Sequence, residues 1–248
     1  MEIKKGQEIM KGILLAGFFQ NIADAFYKAA IKDQRYLAYL DGIKVTILIS
    51  FFAILLGVAI GLIVAVVKVA STNNKKLIIF SKLCNIYTTV IRGTPVIVQL
   101  LILSNLVFVA RDTNEIMVGA ICFGINSGAY VSEIIRAGIE SVDKGQMEAG
   151  RSLGFSYLQT MRFIIIPQAV KNILPALGNE FIVLIKETSV AGVIAVTDLT
   201  KAAQYVGSVT WDILPPLYIA AACYLVMVLG LTKLLNVFER RMAQGDRN

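Results

Sequence analysis

The side chains able to do chemistry in this chain are polar groups set inside apolar runs: Thr94, Gln99, Asn126, Tyr130 and Glu180. The sequence has no histidine, so the commonest general base, proton shuttle and metal ligand is missing. Cys84, Cys122 and Cys223 lie far apart among apolar neighbours, which fits neither a disulfide framework nor a metal knuckle. No paired nucleophile and base stands out, and no cluster of metal ligands, so a membrane enzyme finds no constellation to rest on. The chemistry left is recognition. A polar or ionised group at membrane depth is costly unless paired or hydrated, which makes each one a candidate for lining a path.

Asn126, Tyr130 and Glu133 fall at i, i+4 and i+7 and share one helix face. That face should point into the protein or a wet cavity, with Asn126 assigned to the cavity. Glu133 and Arg136, three apart, are expected to pair as a structural contact. Glu180 and Glu187, seven apart, share a second face, beside a stripe carrying Asn179 and Lys186. Glu180 is read as a substrate contact; the competing reading is an internal ion pair with Lys186 or with Arg92 on a facing helix.

The elements that must position these groups are membrane helices. With 248 residues, 56% hydrophobic content and a mean hydropathy of +0.70, the chain is more apolar than soluble domains, at about 45–50%. A net charge of +7 comes from basic residues scattered between apolar runs, as in positively charged cytoplasmic loops rather than a nucleic-acid surface. Ile43 to Val67 reads as the first span, and Gly57, Gly61 and Ala65 form a small-residue stripe for close contact with another helix of the chain. Lys68, Lys75, Lys76 and Lys82 mark the turn that follows.

Val96 to Ala110 supplies only about 22 Å of helix against a hydrocarbon core of about 30 Å. The second span must therefore borrow from Ile86 to Ile91, across Arg92-Gly93-Thr94-Pro95. Pro95 frees carbonyls at membrane depth, which either line a substrate path or mark a packing kink with Arg92 reaching the surface. Arg111 to Glu115 is a polar turn, Ile116 to Ile135 the third span, and Ile164 to about Val196 the fourth, bent at Pro175. Asp198 to Asp212 is expected outside the membrane with Trp211 as an interface anchor, and Leu217 to Leu235 crosses back. Residues 1–41 are read as an extracytoplasmic or interfacial segment, with Lys4, Lys5 and Lys11 before a run too short to span and Phe18, Phe19, Phe26 and Tyr27 dipping into the interface. Five spans place the two termini on opposite sides.

The long polar interval Ser141 to Pro167 separates two strongly apolar segments. Glu148, Ala149, Gly150 and Arg151 are followed by Gly154, free to take a positive φ and turn the chain. Small residues at 149, 150 and 154 would let another protein's surface approach closely. The spacing Glu148-Ala149-Gly150, Gly154, Ile164 and Ile166-Pro167 resembles the EAA loop of ABC importer permeases, departing from Glu-Ala-Ala at Gly150 and from Leu-Pro at Ile166. Val90-Ile91-Arg92-Gly93-Thr94-Pro95 with Gln99 is similar to the polar amino acid branch of that family.

The resemblance covers about residue 41 to the C-terminus and carries several implications. It implies an all-α integral membrane fold: the five-helix core of a type I importer permease over residues 42–240, a cytoplasmic coupling helix in 141–167, an N-terminal interfacial helix and a cytoplasmic tail at 241–248. It implies a bacterial cytoplasmic-membrane subunit with a cytoplasmic C-terminus, which translocates a polar amino acid; the Glu180 carboxylate points to arginine, lysine or histidine, while its cancellation by Arg92 would leave glutamine or cystine open. Its implied partners are a dimer of ATPase subunits, a second permease copy or close relative, and an extracellular binding protein. No cofactor belongs to this chain; ATP and Mg sit on the partner ATPase, and the sequence has no GxxxxGK[ST] phosphate loop. The alternative is a secondary amino acid transporter driven by an ion gradient, against which the lack of an evident internal repeat counts.

Overall fold

The computed structural model describes residues 17–72, 74–106 and 114–244, which are helical with short 3-10 and π segments and no strand. Helix α1 (17–30) leads through a tight turn at Asp33 and Gln34 into α2 (Tyr36–Ser71). There follow α3 (Ile78–Gly93), α4 (Val96–Leu106), α5 (Glu115–Glu140), the short α6 (Lys144–Ser152) and α7 (Tyr157–Thr160), then α8 (Ile166–Glu187), α9 (Leu199–Thr210) and α10 (Leu214–Gln244). Lys4, Lys5, Lys11 and the turn at residues 111–113 lie outside the described residues. Among the described helices α2, α5 and α10 are long and apolar enough to cross a membrane, and α3 with α4, bent by 112° at the break, passes that test only as a pair, the geometry of a broken span or of a re-entrant loop. With its 22 residues, α8 is about 33 Å long, enough by length for the expected fourth span, though it is not among the helices apolar enough to cross.

The bundle is built on α2 and α5, which run parallel and pack most extensively. A Cβ on Gly57 would lie 2.9 Å from Ser127 Oγ, and one on Gly61 2.6 Å from Val131 Cγ1. The fit is reciprocal: Gly124 receives Leu56 and Gly128 receives Ile60, each too close for an added Cβ. Two stripes of glycine four residues apart thus let large side chains of each helix sit against the backbone of the other, the packing that replaces hydrophobic drive inside a bilayer. The intrachain partner expected for the first stripe is α5.

Several expectations are corrected. The first span extends from Tyr36 to Ser71 rather than 43 to 67, so the boundary at residue 41 falls inside a continuous helix. Lys68 does not mark the turn but turns inward to Glu133. The fourth helix ends at Glu187, and Thr188–Ile194 continues as a 3-10 segment. The stretch from Asp198 to Asp212, expected outside the membrane with no element assigned to it, is largely helical. It forms α9, capped by Asp198, whose carboxylate accepts from Thr200 N at 2.9 Å and Lys201 N at 3.1 Å. Leu199, Ala203 and Val206 pack against Tyr39 and Ala220, tying α9 between α2 and α10. Trp211 ends α9 in a left-handed conformation with its side chain 95% exposed, in keeping with an interface anchor. α1 lies against the start of α10, with Phe26 stacked on Tyr218 and Tyr39 Oη donating to Ala29 O.

Candidate functional site

The break between α3 and α4 organises one polar cluster. Pro95 has no N–H to offer the carbonyl of Ile91 four residues earlier. The side-chain amide of Gln99 takes over, donating to Ile91 O at 2.7 Å, to Thr94 O at 3.1 Å and to Thr94 Oγ1 at 2.8 Å. Its own oxygen accepts from Asn126 Nδ2 of α5 at 2.8 Å. Thr94, Gln99 and Asn126, proposed from sequence as one set, are therefore brought into a single hydrogen-bonded group. Thr94 is exposed, Asn126 only 3% exposed. The amide of Gln99 is engaged in stabilising the break, so the open break presents Thr94 and Arg92 more directly than Gln99.

Tyr130 joins this cluster one turn along α5, with the Arg92 guanidinium 5.5 Å from its ring centroid, a cation–π distance. Glu133, the third member of that face, pairs with Arg136 at 2.8 Å as expected and also with Lys68 at 2.6 Å. The Asn126–Tyr130–Glu133 face thus points at α4, α3 and α2 in turn rather than at lipid, as the price of buried polarity demands.

Glu180 is held apart from that set. It is 9% exposed and accepts from Ser127 Oγ at 2.8 Å. Ser127 follows Asn126 on α5 and also touches Gly57 of α2, so Glu180 sits where α2, α5 and α8 meet. Among the described residues no ion pair joins it to Lys186 or Arg92, and Arg92 is occupied by Tyr130. The internal ion-pair alternative is thereby corrected in favour of a carboxylate with a neutral partner. Ser127 and Lys68 were not singled out by sequence reasoning. A serine wedged into the Gly124–Gly128 stripe is the signal for the first; the second is masked by its position in a run of loop cations.

The second site is the polar interval. Asp143 caps α6 by accepting from Gly145 N at 2.6 Å, and Ser156 and Gln159 form a reciprocal capping box that starts α7. Met161–Ile165 is a π-helical turn leading into α8, with Pro167 in the first turn of α8. Gly154 takes φ +87°, an added Cβ there would meet nothing within 4 Å, and Phe155 N donates back to Gly150 O at 3.1 Å, so the expected turn is present. Glu148, Ala149 and Arg151 are exposed, and Arg151 Nη1 donates to Phe155 O. Gly150 corrects the sequence reading. It is buried, and a Cβ there would lie 2.6 Å from Thr160 Cγ2 and 3.0 Å from Ile164 Cδ1, so its smallness seats α6 on its own chain rather than receiving another surface. Beside the exposed Glu148 and Arg151, Leu153 and Leu158 add an apolar outer surface, each 76% exposed. Asn172 Nδ2 donates to Ser141 Oγ at 2.8 Å, fastening α8 to the end of α5.

A family model described as "Binding-protein-dependent transport system inner membrane component" matches residues 57–244. The arginine transport system permease protein ArtQ of Bacillus subtilis is 37% identical over 224 residues, 89% of this chain and 98% of its own. A Rickettsia felis protein designated a glutamine transport system permease protein, GlnP, is 40% identical over 210 residues, 84% of this chain and 94% of that one. The crystal structure of an amino acid ABC transporter with histidines superposes with a TM-score of 0.77 at 45% identity, covering 83% of this chain and 94% of that chain. An inward-facing MetNI methionine ABC transporter superposes with a TM-score of 0.75 at 15% identity, a likeness of fold.

Proposed function

Because the chain belongs to the family of binding-protein-dependent transport system inner membrane components and is a permease subunit of an amino acid ABC transporter, we propose that it carries a polar, preferably basic, amino acid across a bacterial inner membrane. Family membership displaces the ion-gradient carrier. In this reading the chain works beside a second permease copy or close relative, receives substrate from an extracellular binding protein and seats two ATPase subunits. Those subunits hold ATP and Mg and perform hydrolysis; this chain supplies the path and the lever. Its C-terminus lies on the cytoplasmic side with the α6–α7 loop.

The observation that carries the coupling role is the build of that loop. Gly150 locks α6 onto Thr160 and Ile164, so a push on α6 is delivered into the start of α8, while Leu153 and Leu158 offer an apolar outer surface. Glu148, Ala149, Arg151 and Gly154 surround that surface. At the other site, Thr94, Gln99, Asn126 and Tyr130 line the broken span, and Glu180 supplies a carboxylate with a neutral partner for a cationic substrate. The relatives named for glutamine and arginine fit a polar site of this kind.

Glu180→Gln keeps the shape and the acceptor for Ser127 while removing the charge. Uptake of labelled arginine by the complex reconstituted in liposomes is expected to fall about tenfold or more, the scale of one lost charged contact, with the ATPase still bound. Loss of the ATPase subunit together with uptake would instead assign Glu180 to the fold. ATP-independent uptake by the wild-type chain alone would sink the permease reading itself.

A further inference from the structure

The chain has a charged line that the substrate site and the loop do not use. On α2, Lys68 Nζ donates to Glu133 Oε1 of α5 at 2.6 Å and, at 3.4 Å, to Thr88 Oγ1 of α3. Arg136 holds the other oxygen of the same carboxylate through Nε at 3.0 Å and Nη2 at 2.8 Å. Through Nη1 it grips both oxygens of Glu140, at 2.7 and 2.6 Å. Glu140 borders a cavity shared with Asp143, Lys144 and Met147 of the loop. Two cations and two anions therefore run in alternation from α3 to the root of α6.

The line matters because of how α3 is attached. Within this chain Thr88 is the buried residue of α3. The helix is fastened to α2 and α5 by polar contacts on one side: Tyr87 Oη to Ile125 O at 2.6 Å, Thr88 to Lys68, and Arg92 over Tyr130. A helix held by a few directional contacts can be released or shifted by moving their partners, whereas the interlocked α2–α5 pair cannot.

We propose that Lys68 is a positioning residue of the transport cycle, tying α3 and the Arg92–Pro95 break to the carboxylate that Arg136 and Glu140 connect to the loop. This role rests on the permease function given above. Lys68 does not touch substrate; it sets where the break stands relative to Asn126 and Tyr130 as the loop moves. The geometry also separates the two ends of the pair. Removing Lys68 leaves Glu133 neutralised by Arg136, so the fold survives; removing Glu133 strands a largely buried ammonium.

The test is the number of labelled amino acid molecules taken up per ATP hydrolysed by the complete complex with its ATPase and binding protein in liposomes. The probe is arginine or glutamine, whichever the wild type transports. Lys68→Met should assemble normally and lower that ratio about tenfold, with Lys68→Arg restoring much of it. Thr88→Val should lower it a few-fold, and the double variant should be no worse than Lys68→Met, since the two act through one contact. An unchanged ratio in Lys68→Met, effects that multiply in the double variant, or a Lys68→Met chain that fails to assemble would each overturn the role. Wild-type uptake without ATP hydrolysis would overturn the permease function and this role with it.

Discussion

Replacing both Leu153 and Leu158 with aspartate is expected to strip the ATPase subunit from the chain while leaving the membrane bundle intact. Each leucine is 76% exposed, so neither change opens a cavity or buries a charge in the free subunit. In a docked complex the same positions would be desolvated, and burying a leucine side chain is worth about 1.5–3 kcal/mol. Losing two such contacts and forcing two carboxylates into the interface should weaken docking by at least about a hundredfold. Affinity purification from native membranes in mild detergent, with mass spectrometry of what accompanies the chain, reads the result. Recovery of the ATPase at wild-type yield with the double variant would remove Leu153 and Leu158 from the docking surface.

Gly61→Leu is expected to have the largest effect on the fold. An added Cβ would stand 2.6 and 2.7 Å from Val131 side-chain atoms and 2.9 Å from Ser132 N. The last of these is backbone, so no rotamer change relieves the clash and α2 must move off α5. Overpacking of this kind costs about 1–3 kcal/mol before the lost interdigitation is counted. For a chain of this size that corresponds to a thermal midpoint lowered by about 2–12 °C in detergent. Gly230→Leu on α10 is the control, because nothing lies within 4 Å of a Cβ there. Equal midpoints for the two variants would show that the α2–α5 contact is not the stabilising seam.

The loop was the most legible part of the sequence, because its signals are local. Gly154 takes the positive φ that its place after a short helix implied, and Pro167 falls in the first turn of α8. The break at Pro95 was equally readable, since a run too short to cross next to a proline has few ways to satisfy its backbone. The direction in which Gly150 faces was not readable. A glycine chosen for contact with its own chain and one chosen for a partner leave the same letter, and only the position of Thr160 and Ile164 distinguishes them. α9 was missed for a related reason: its Asp198 cap and buried Leu199, Ala203 and Val206 acquire an apolar face only where α2 and α10 supply one.

The sequence by itself determined the bilayer as solvent, the discontinuity at Pro95, the turn at Gly154 and the shared face of Asn126, Tyr130 and Glu133. Each follows from chain length against membrane thickness, from missing donors or from helical periodicity, all properties of residues near one another along the chain. Tertiary structure alone decided that Gln99 closes the break, that Glu180 meets Ser127 rather than a cation, and that Lys68 turns inward to Glu133. These pairings join residues 8 to 65 positions apart. A polar side chain in a low-dielectric interior must find a partner, and which one it finds depends on which helices the two glycine stripes have brought together.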